Sequence, residues 1–172
     1  MNVAPTTLKD ALVITPTAHH DHRGFFKEIF RAEEYAANVT PARFVQENIS
    51  CSRANVLRGL HYDPAMAKLV QVLHGRTYHV IVDLRRESPT YLKWEAFDLS
   101  GENHKQIFVP AGFANGFYVV SDLAYVHYKQ TSYWDASAER ILRWNDPAVG
   151  VKWPTDTPLL SDRDRDADDF NR

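Results

Sequence analysis

The sequence predicts an all-β fold, a sandwich or small barrel of the jelly-roll kind with a few short helices. Three observations carry this prediction. Side chains alternate with a period of two through residues 77–84, Tyr78, Val80, Val82 and Leu84 facing one way and Thr77, His79, Ile81 and Asp83 the other. Short strand-like runs recur at close spacing, divided by turn signals, as sandwiches and small barrels require. Helical periodicity is scarce, with Ala32–Ala37 its clearest instance.

Taken in order, Ala11–Thr15 is the first strand-like run, and Gly24–Phe30 follows a polar segment, His19-His20-Asp21-His22, that reads as a loop. After the short helix, Arg43–Ser50 alternates again. Leu69-Val70-Gln71-Val72-Leu73 runs into His74-Gly75-Arg76, a turn signal, so residues 68–85 read as a hairpin. Tyr91–Asp98, Lys105–Val109, Gly116–Val120 and Ala124–Thr131 complete the strand set. Ser100-Gly101-Glu102-Asn103, Pro110-Ala111-Gly112 and Ser121-Asp122 mark turns between them. The tail beyond Pro158 is charged and reads as irregular. With no repeat and no low-complexity linker, the 172 residues read as one domain.

Composition narrows the function. An apolar fraction of 44% with 24% charged residues is ordinary for a soluble globular chain. A net charge of −2 supplies no general basic field, which argues against nucleic acid as partner. The single cysteine, Cys51, makes neither an internal disulfide nor a thiolate-rich zinc site, and fits a reducing compartment. No apolar run reaches membrane-spanning length and no secretory leader is evident, so the cytoplasm is the expected location.

The candidate chemistry centres on Arg58-Gly59-Leu60-His61. Arg58 and Lys68 place positive charge on both sides of His61, and neighbouring cations favour the neutral imidazole that a general base requires. His74 and His104 fall in turn signals and read as solvated. His127 points away from Tyr128 by the strand period. Arg23, Arg58 and Lys68 lie in or near apolar strands, where an unpaired cation is costly. Either they pair with internal carboxylates such as Glu28 or Glu47, or they face an anionic ligand, whose phosphate oxygens suit guanidinium forks. Trp134 either stacks on a base or packs at a strand end. A metal reading takes His20, His22 and Glu28 as ligands of a jelly-roll oxygenase. There a later histidine closes the set, and here that position is Asn115, so the histidine cluster reads as a solvated loop instead.

Several longer motifs occur in a fixed order: Asp21-His22-Arg23-Gly24-Phe25-Phe26, Phe44-Val45-Gln46-Glu47-Asn48, Val56-Leu57-Arg58-Gly59-Leu60-His61, Val82-Asp83-Leu84-Arg85-Arg86-Glu87-Ser88-Pro89-Thr90, Arg143-Trp144-Asn145-Asp146-Pro147 and Leu160-Ser161-Asp162-Arg163-Asp164. Through them the chain resembles the dTDP-4-dehydrorhamnose 3,5-epimerases, cupin-fold enzymes of nucleotide-sugar biosynthesis, from about Thr7 to Asp164. The resemblance implies His61 as base, Tyr128 (followed by Lys129) as acid, and Asp164 as the carboxylate that orients the base. It puts Arg23, Glu28, Gln46, Glu47, Asn48, Arg58, Lys68, Asn115, Trp134, Glu139 and Arg163 on substrate-binding positions. It further implies a nucleoside-diphosphate sugar substrate, no cofactor or metal, and a homodimer. Asn115 stands where the family usually has histidine, Arg163 where it has lysine, and the loop between His61 and Lys68 is short. These departures leave open the sugar and whether C3, C5 or both are inverted. The rivals are the metal-dependent oxygenase and a binding module that keeps the nucleotide site without turnover.

Overall fold

The computed structural model describes residues 1–170. In chain order its strands are β1 (Asn2–Pro5), β2 (Leu12–Thr15), β3 (Ala18–Asp21), β4 (Gly24–Lys27), β5 (Gln46–Arg53), β6 (Leu57–Tyr62), β7 (Lys68–His74), β8 (Arg76–Asp83), β9 (Trp94–Ser100), β10 (Gln106–Val109), β11 (Phe113–Val119), β12 (Leu123–Gln130) and β13 (Arg140–Ile141). Helix α1 (Ala32–Asn38) lies between β4 and β5, and α2 (Asp162–Arg165) follows β13. One sheet runs β1-β2-β10-β7-β12-β5, a second runs β13-β6-β11-β8-β9, and β3 pairs with β4 in a two-stranded third. The pairings within the sheets are antiparallel. Among the described residues no helix is long and apolar enough to cross a membrane.

The two large sheets pack face to face, as the jelly-roll reading expects. Val70, Val72, Ile81, Ile107, Phe113, Phe117 and Val126 form the core between them. The outer faces are also covered. Tyr35 of α1 packs with Ile14, Leu69 and Phe108 behind the first sheet. Trp153, Val149 and Val151 cover Leu60, Val80 and Val82 behind the second.

This double coverage overturns the expected hairpin at 68–85. β7 pairs with β10 and β12, whereas β8 pairs with β11 and β9. The turn at Gly75 carries the chain from one sheet to the other. Gly75 has φ +79°, and a Cβ there would lie 2.0 Å from the Leu123 carbonyl oxygen, so only glycine fits the crossing. The His19–His22 segment is a strand in part, since β3 ends at Asp21, but it is solvated as expected. The tail is not wholly irregular: Ser161 Oγ accepts from the Asp164 N–H and caps the short helix α2. His74 is exposed at the end of β7, whereas His104 is buried, its Nδ1 accepting from Lys27 Nζ at 3.1 Å.

Candidate active site

At one end of the sandwich the inward-facing positions turn polar. A cavity of about 230 Å³ is lined by Ser50, Lys68, Val70, Val126 and Tyr128 from the first sheet and by Arg58, His61, His79, Asn115, Gly116 and Phe117 from the second, with Glu139 at its edge. An adjoining lobe of about 230 Å³ shares Lys68, Tyr128 and Glu139 and adds Gln46, Asn48, Gln130 and Trp134.

Strand register explains which side chains arrive. On β5 the period of two sends Gln46, Asn48 and Ser50 inward beside β12, where Tyr128 pairs with Asn48 and Gln130 with Gln46. On β6 the period is broken. Arg58 pairs with Phe117 and His61 with Asn115, so three steps on β6 match two on β11. That bulge brings Arg58 and His61 to the same face, although residues three apart in a regular strand face oppositely. Gly59, with φ +123°, makes the bulge possible: a Cβ there would lie 2.7 Å from Gly116 Cα.

His61 Nε2 lies 2.6 Å from Asp164 Oδ1, and Asp164 is only 3% exposed. Burial alone would raise the Asp164 pKa. Hydrogen bonds and charge from His61, with further bonds from Ser161 and the Gly59 backbone, hold it below its ordinary value. Asp164 is therefore an ionised acceptor, Nε2 carries the proton it accepts, and the lone pair of the neutral ring resides on Nδ1. Across the cavity, burial and the Glu139 charge raise the Tyr128 pKa, with Arg58 opposing, so the phenol keeps its proton. Lys68 Nζ lies 5.8 Å from the Tyr128 ring centroid. Burial lowers the Lys68 pKa, while the charges of Glu139 and Asp63 support its protonated form.

The two alternatives for the cations resolve residue by residue. Among the described residues Arg58 and Lys68 form no salt bridge; Arg58 Nε donates to Ser52 Oγ at 2.8 Å. Both basic side chains line the cleft without a carboxylate bound to them among those residues. Arg163 instead binds Glu139 at 2.6 Å on the cleft's edge. Trp134, 53% exposed, stands at the mouth, with its backbone N–H donating to Gln46 Oε1. Asn115 lines the cavity but its amide nitrogen donates to the His61 carbonyl at 3.1 Å.

Three expected binding residues lie outside this cleft. Glu47 points to the opposite face of β5, where it binds Lys129 and His127, because alternation separates it from Gln46 and Asn48. Arg23 sits on the exposed β3–β4 hairpin and pairs with Asp21 at 2.6 Å. Glu28 pairs with Arg31 at 2.8 Å, bordering a separate hollow beside α1. The metal set does not converge either: His20 lies against Phe25 and His104, and Glu28 is held by Arg31. Among the described residues no three His, Cys, Asp or Glu side chains gather as a metal-holding group. His79 and Ser50 also line the cleft, and neither is among the residues expected there. The signal was present for His79, an imidazole on the same inward face as Ile81 in an apolar strand.

Fold and cleft together define a cupin-type sandwich enzyme whose cavity presents free cations beside a histidine–aspartate pair. A sequence model of the dTDP-4-dehydrorhamnose 3,5-epimerase family matches residues 5–172, and the chain belongs to that family. It is 46% identical over 167 residues to the dTDP-4-dehydrorhamnose 3,5-epimerase of Neisseria gonorrhoeae, covering 95% of this chain but 51% of that protein. It thus spans about half the length of that relative. Against the Shigella flexneri enzyme of the same name, identity is 42%, covering 99% of this chain and 96% of that one. The crystal structure of the Legionella pneumophila dTDP-6-deoxy-D-glucose-3,5-epimerase, in complex with dTDP-4-keto-L-rhamnose, superposes with a TM-score of 0.92 at 41% identity, over 96% of this chain and 90% of that one.

Proposed function

We propose that the protein inverts C3 and C5 of dTDP-4-dehydro-6-deoxyglucose. The observation that carries this reading is the placement of His61 and Tyr128 on facing sheets of one cavity that also holds the unpaired Arg58 and Lys68. The ketone at C4 acidifies the hydrogens at C3 and C5, because the carbanion formed on deprotonation delocalises onto the carbonyl oxygen. His61 Nδ1 removes the proton from one face of the ring, with Asp164 holding the imidazole and favouring its protonated form in the transition state. Tyr128, protonated and on the other wall, returns a proton to the opposite face. Inversion needs acid and base on opposite sides, and two facing sheets provide that arrangement. Lys68 stabilises the enolate oxygen. Arg58 takes the diphosphate, and Gln46, Asn48 and Trp134 hold the nucleoside end, with the indole stacked on the base.

We further infer a cytoplasmic homodimer, with the β3–β4 hairpin, whose Phe25 and Phe26 are 53% and 73% exposed, as an apolar face toward a second copy. Light scattering reads the assembly directly.

The test is incubation with the 4-keto sugar nucleotide in heavy water, followed by proton NMR. Deuterium is expected at C3 and C5. Tyr128→Phe should lose about 10²–10⁴-fold in turnover. Absence of exchange at both carbons overturns the reading, and exchange at one carbon alone redefines the enzyme as a monoepimerase.

A further inference from the structure

His79 has no role in the scheme above, yet it lines the same cavity. It is 1% exposed, and neither ring nitrogen has a hydrogen-bond partner among the described residues. The contrast with His127, the buried imidazole of β12, is informative. That ring is fully engaged, with Gln71 Nε2 at 3.0 Å and Glu47 Oε2 at 3.1 Å. A buried polar group left unpaired destabilises the fold, so folding stability does not account for a histidine at position 79. Its ring lies nearly parallel to Phe117, centroids 6.1 Å apart and planes 13° apart, which fixes the plane in which its nitrogens are presented. A second orphan, Ser50 Oγ, lines the cavity from the opposite sheet.

The charge state is also defined. Burial and the Lys68 ammonium push the His79 pKa down to about 3, so the ring is neutral at physiological pH, with one donor and one acceptor nitrogen. A neutral imidazole N–H is a very weak acid. It donates to a developing oxyanion without surrendering its proton, and so does not trap the intermediate as an enol. Lys68 and His79 line the same cavity from facing sheets, so both side chains border the space that a substrate oxygen would enter. The neighbouring strand adds a reason. Asn115 spends its amide nitrogen on the His61 carbonyl. The ladder sets Asn115 opposite Ile81 and Phe117 opposite His79, which puts an imidazole one pair along the same inward face.

We propose that His79 is a catalytic hydrogen-bond donor, its N–H acting with the Lys68 ammonium on the C4 oxygen of the sugar as the enolate forms. In that step the C–H bond breaks, its proton passes to His61, the bonding pair becomes the ring C=C bond, and the carbonyl π pair moves to the oxygen held by the two donors. The proposal rests on the epimerase reading, and the experiment separates the two. The parent enzyme, His79→Phe and His79→Gln are compared for deuterium exchange into dTDP-4-keto-6-deoxyglucose, for thermal melting and for dTDP binding by calorimetry. His79→Phe should melt at or above the parent, because it removes a buried unpaired group, and should bind dTDP as the parent does. Its kcat should fall about 10²–10³-fold with little change in KM, and His79→Gln, which keeps a donor, should recover part of that loss. A kcat for His79→Phe within about threefold of the parent overturns the proposal. Absence of exchange in the parent overturns the epimerase reading and this proposal with it. Should His79→Phe fail to fold, nitrogen-15 spectra of the parent's histidines decide: one His79 ring nitrogen should shift on adding the 4-keto sugar nucleotide but not dTDP, and no shift overturns the proposal.

Discussion

Gly59→Ala tests whether the β6 bulge builds the site. Two glycines with similar backbone angles make the comparison quantitative, Gly59 at φ +123° and Gly24 at φ +128°. A Cβ at Gly24 meets nothing within 4 Å, so Gly24→Ala reports the backbone strain alone, about 1–2 kcal/mol. A Cβ at Gly59 would lie 2.7 Å from Gly116 Cα and 2.9 Å from the Asn115 carbonyl oxygen, both backbone atoms that cannot rotate away. Overpacking adds about 1–3 kcal/mol, for a total of about 2–5 kcal/mol. In a domain of this size each kcal/mol lowers Tm by about 2–4 °C. Gly59→Ala should therefore melt several degrees below Gly24→Ala in a calorimetric scan. Relief of the clash must separate β6 from β11, which displaces Arg58 and His61. Exchange activity should fall by about 10²-fold, as misplacement near 1 Å does. Equal melting temperatures for the two variants, or full activity in Gly59→Ala, would refute the reasoning.

Asp164→Asn should slow deuterium exchange about 10²–10⁴-fold, because an amide can present N–H to Nε2 and select the wrong tautomer; a parental rate removes the orienting role. Arg58→Gln should weaken dTDP binding about 10–100-fold and flatten its salt dependence in calorimetry, since charged hydrogen bonds contribute about 1.5–3 kcal/mol; unchanged affinity places the diphosphate elsewhere. Asp83 tests acid stability. Burial would raise its pKa, but bonds from Arg85, Ser88 and Thr90 hold it below the ordinary 3.8. A depressed carboxylate contributes stability that is complete above the unfolded value and is lost as pH falls through the folded one. Asp83→Asn should therefore be less stable at neutral pH, and the gap to the parent should close as pH drops below 3.8.

The sequence made β2, β9, β10, β11, β12 and α1 legible to within a few residues, because each alternates or repeats between clear turn signals. It failed where periodicity carries no information. β7 and β8 are buried on both faces through most of their length, so nothing in their pattern says that Gly75 changes sheets rather than closing a hairpin. β6 was not legible as a strand, because its bulge sets Leu57, Gly59 and Leu60 all buried and breaks the alternation. α2 is only four residues long, too short to show a helical period. In the candidate site, His61, Tyr128 and Asp164 were visible through motifs, since Asp164 lies 103 residues from its partner and no local pattern joins them. Alternation alone sets Glu47 on the face of β5 opposite Gln46 and Asn48. No local pattern sets Arg23 and Glu28 outside the cleft, because that depends on where the β3–β4 hairpin folds.

Both the fold and the chemistry depend on how one set of inward positions is divided. At the filled end of the sandwich these positions hold Val72, Leu99, Ile107, Val119 and Ala124. At the cleft they hold Ser50, Arg58, His61, Lys68, His79 and Tyr128. Aliphatic residues at the second set would extend the core, and each would bury apolar area in place of a polar group that folding must desolvate. Of the six, only His61 gains a strong partner, Asp164, and that bond fixes its tautomer rather than filling space. Among the described residues Ser50 and His79 remain unpaired, and burial pulls the Lys68 pKa down against the charges of Glu139 and Asp63. A cluster with this much unmet hydrogen-bonding capacity weakens the folded chain. Its free donors and charges are the groups that a diphosphate and a developing enolate would engage.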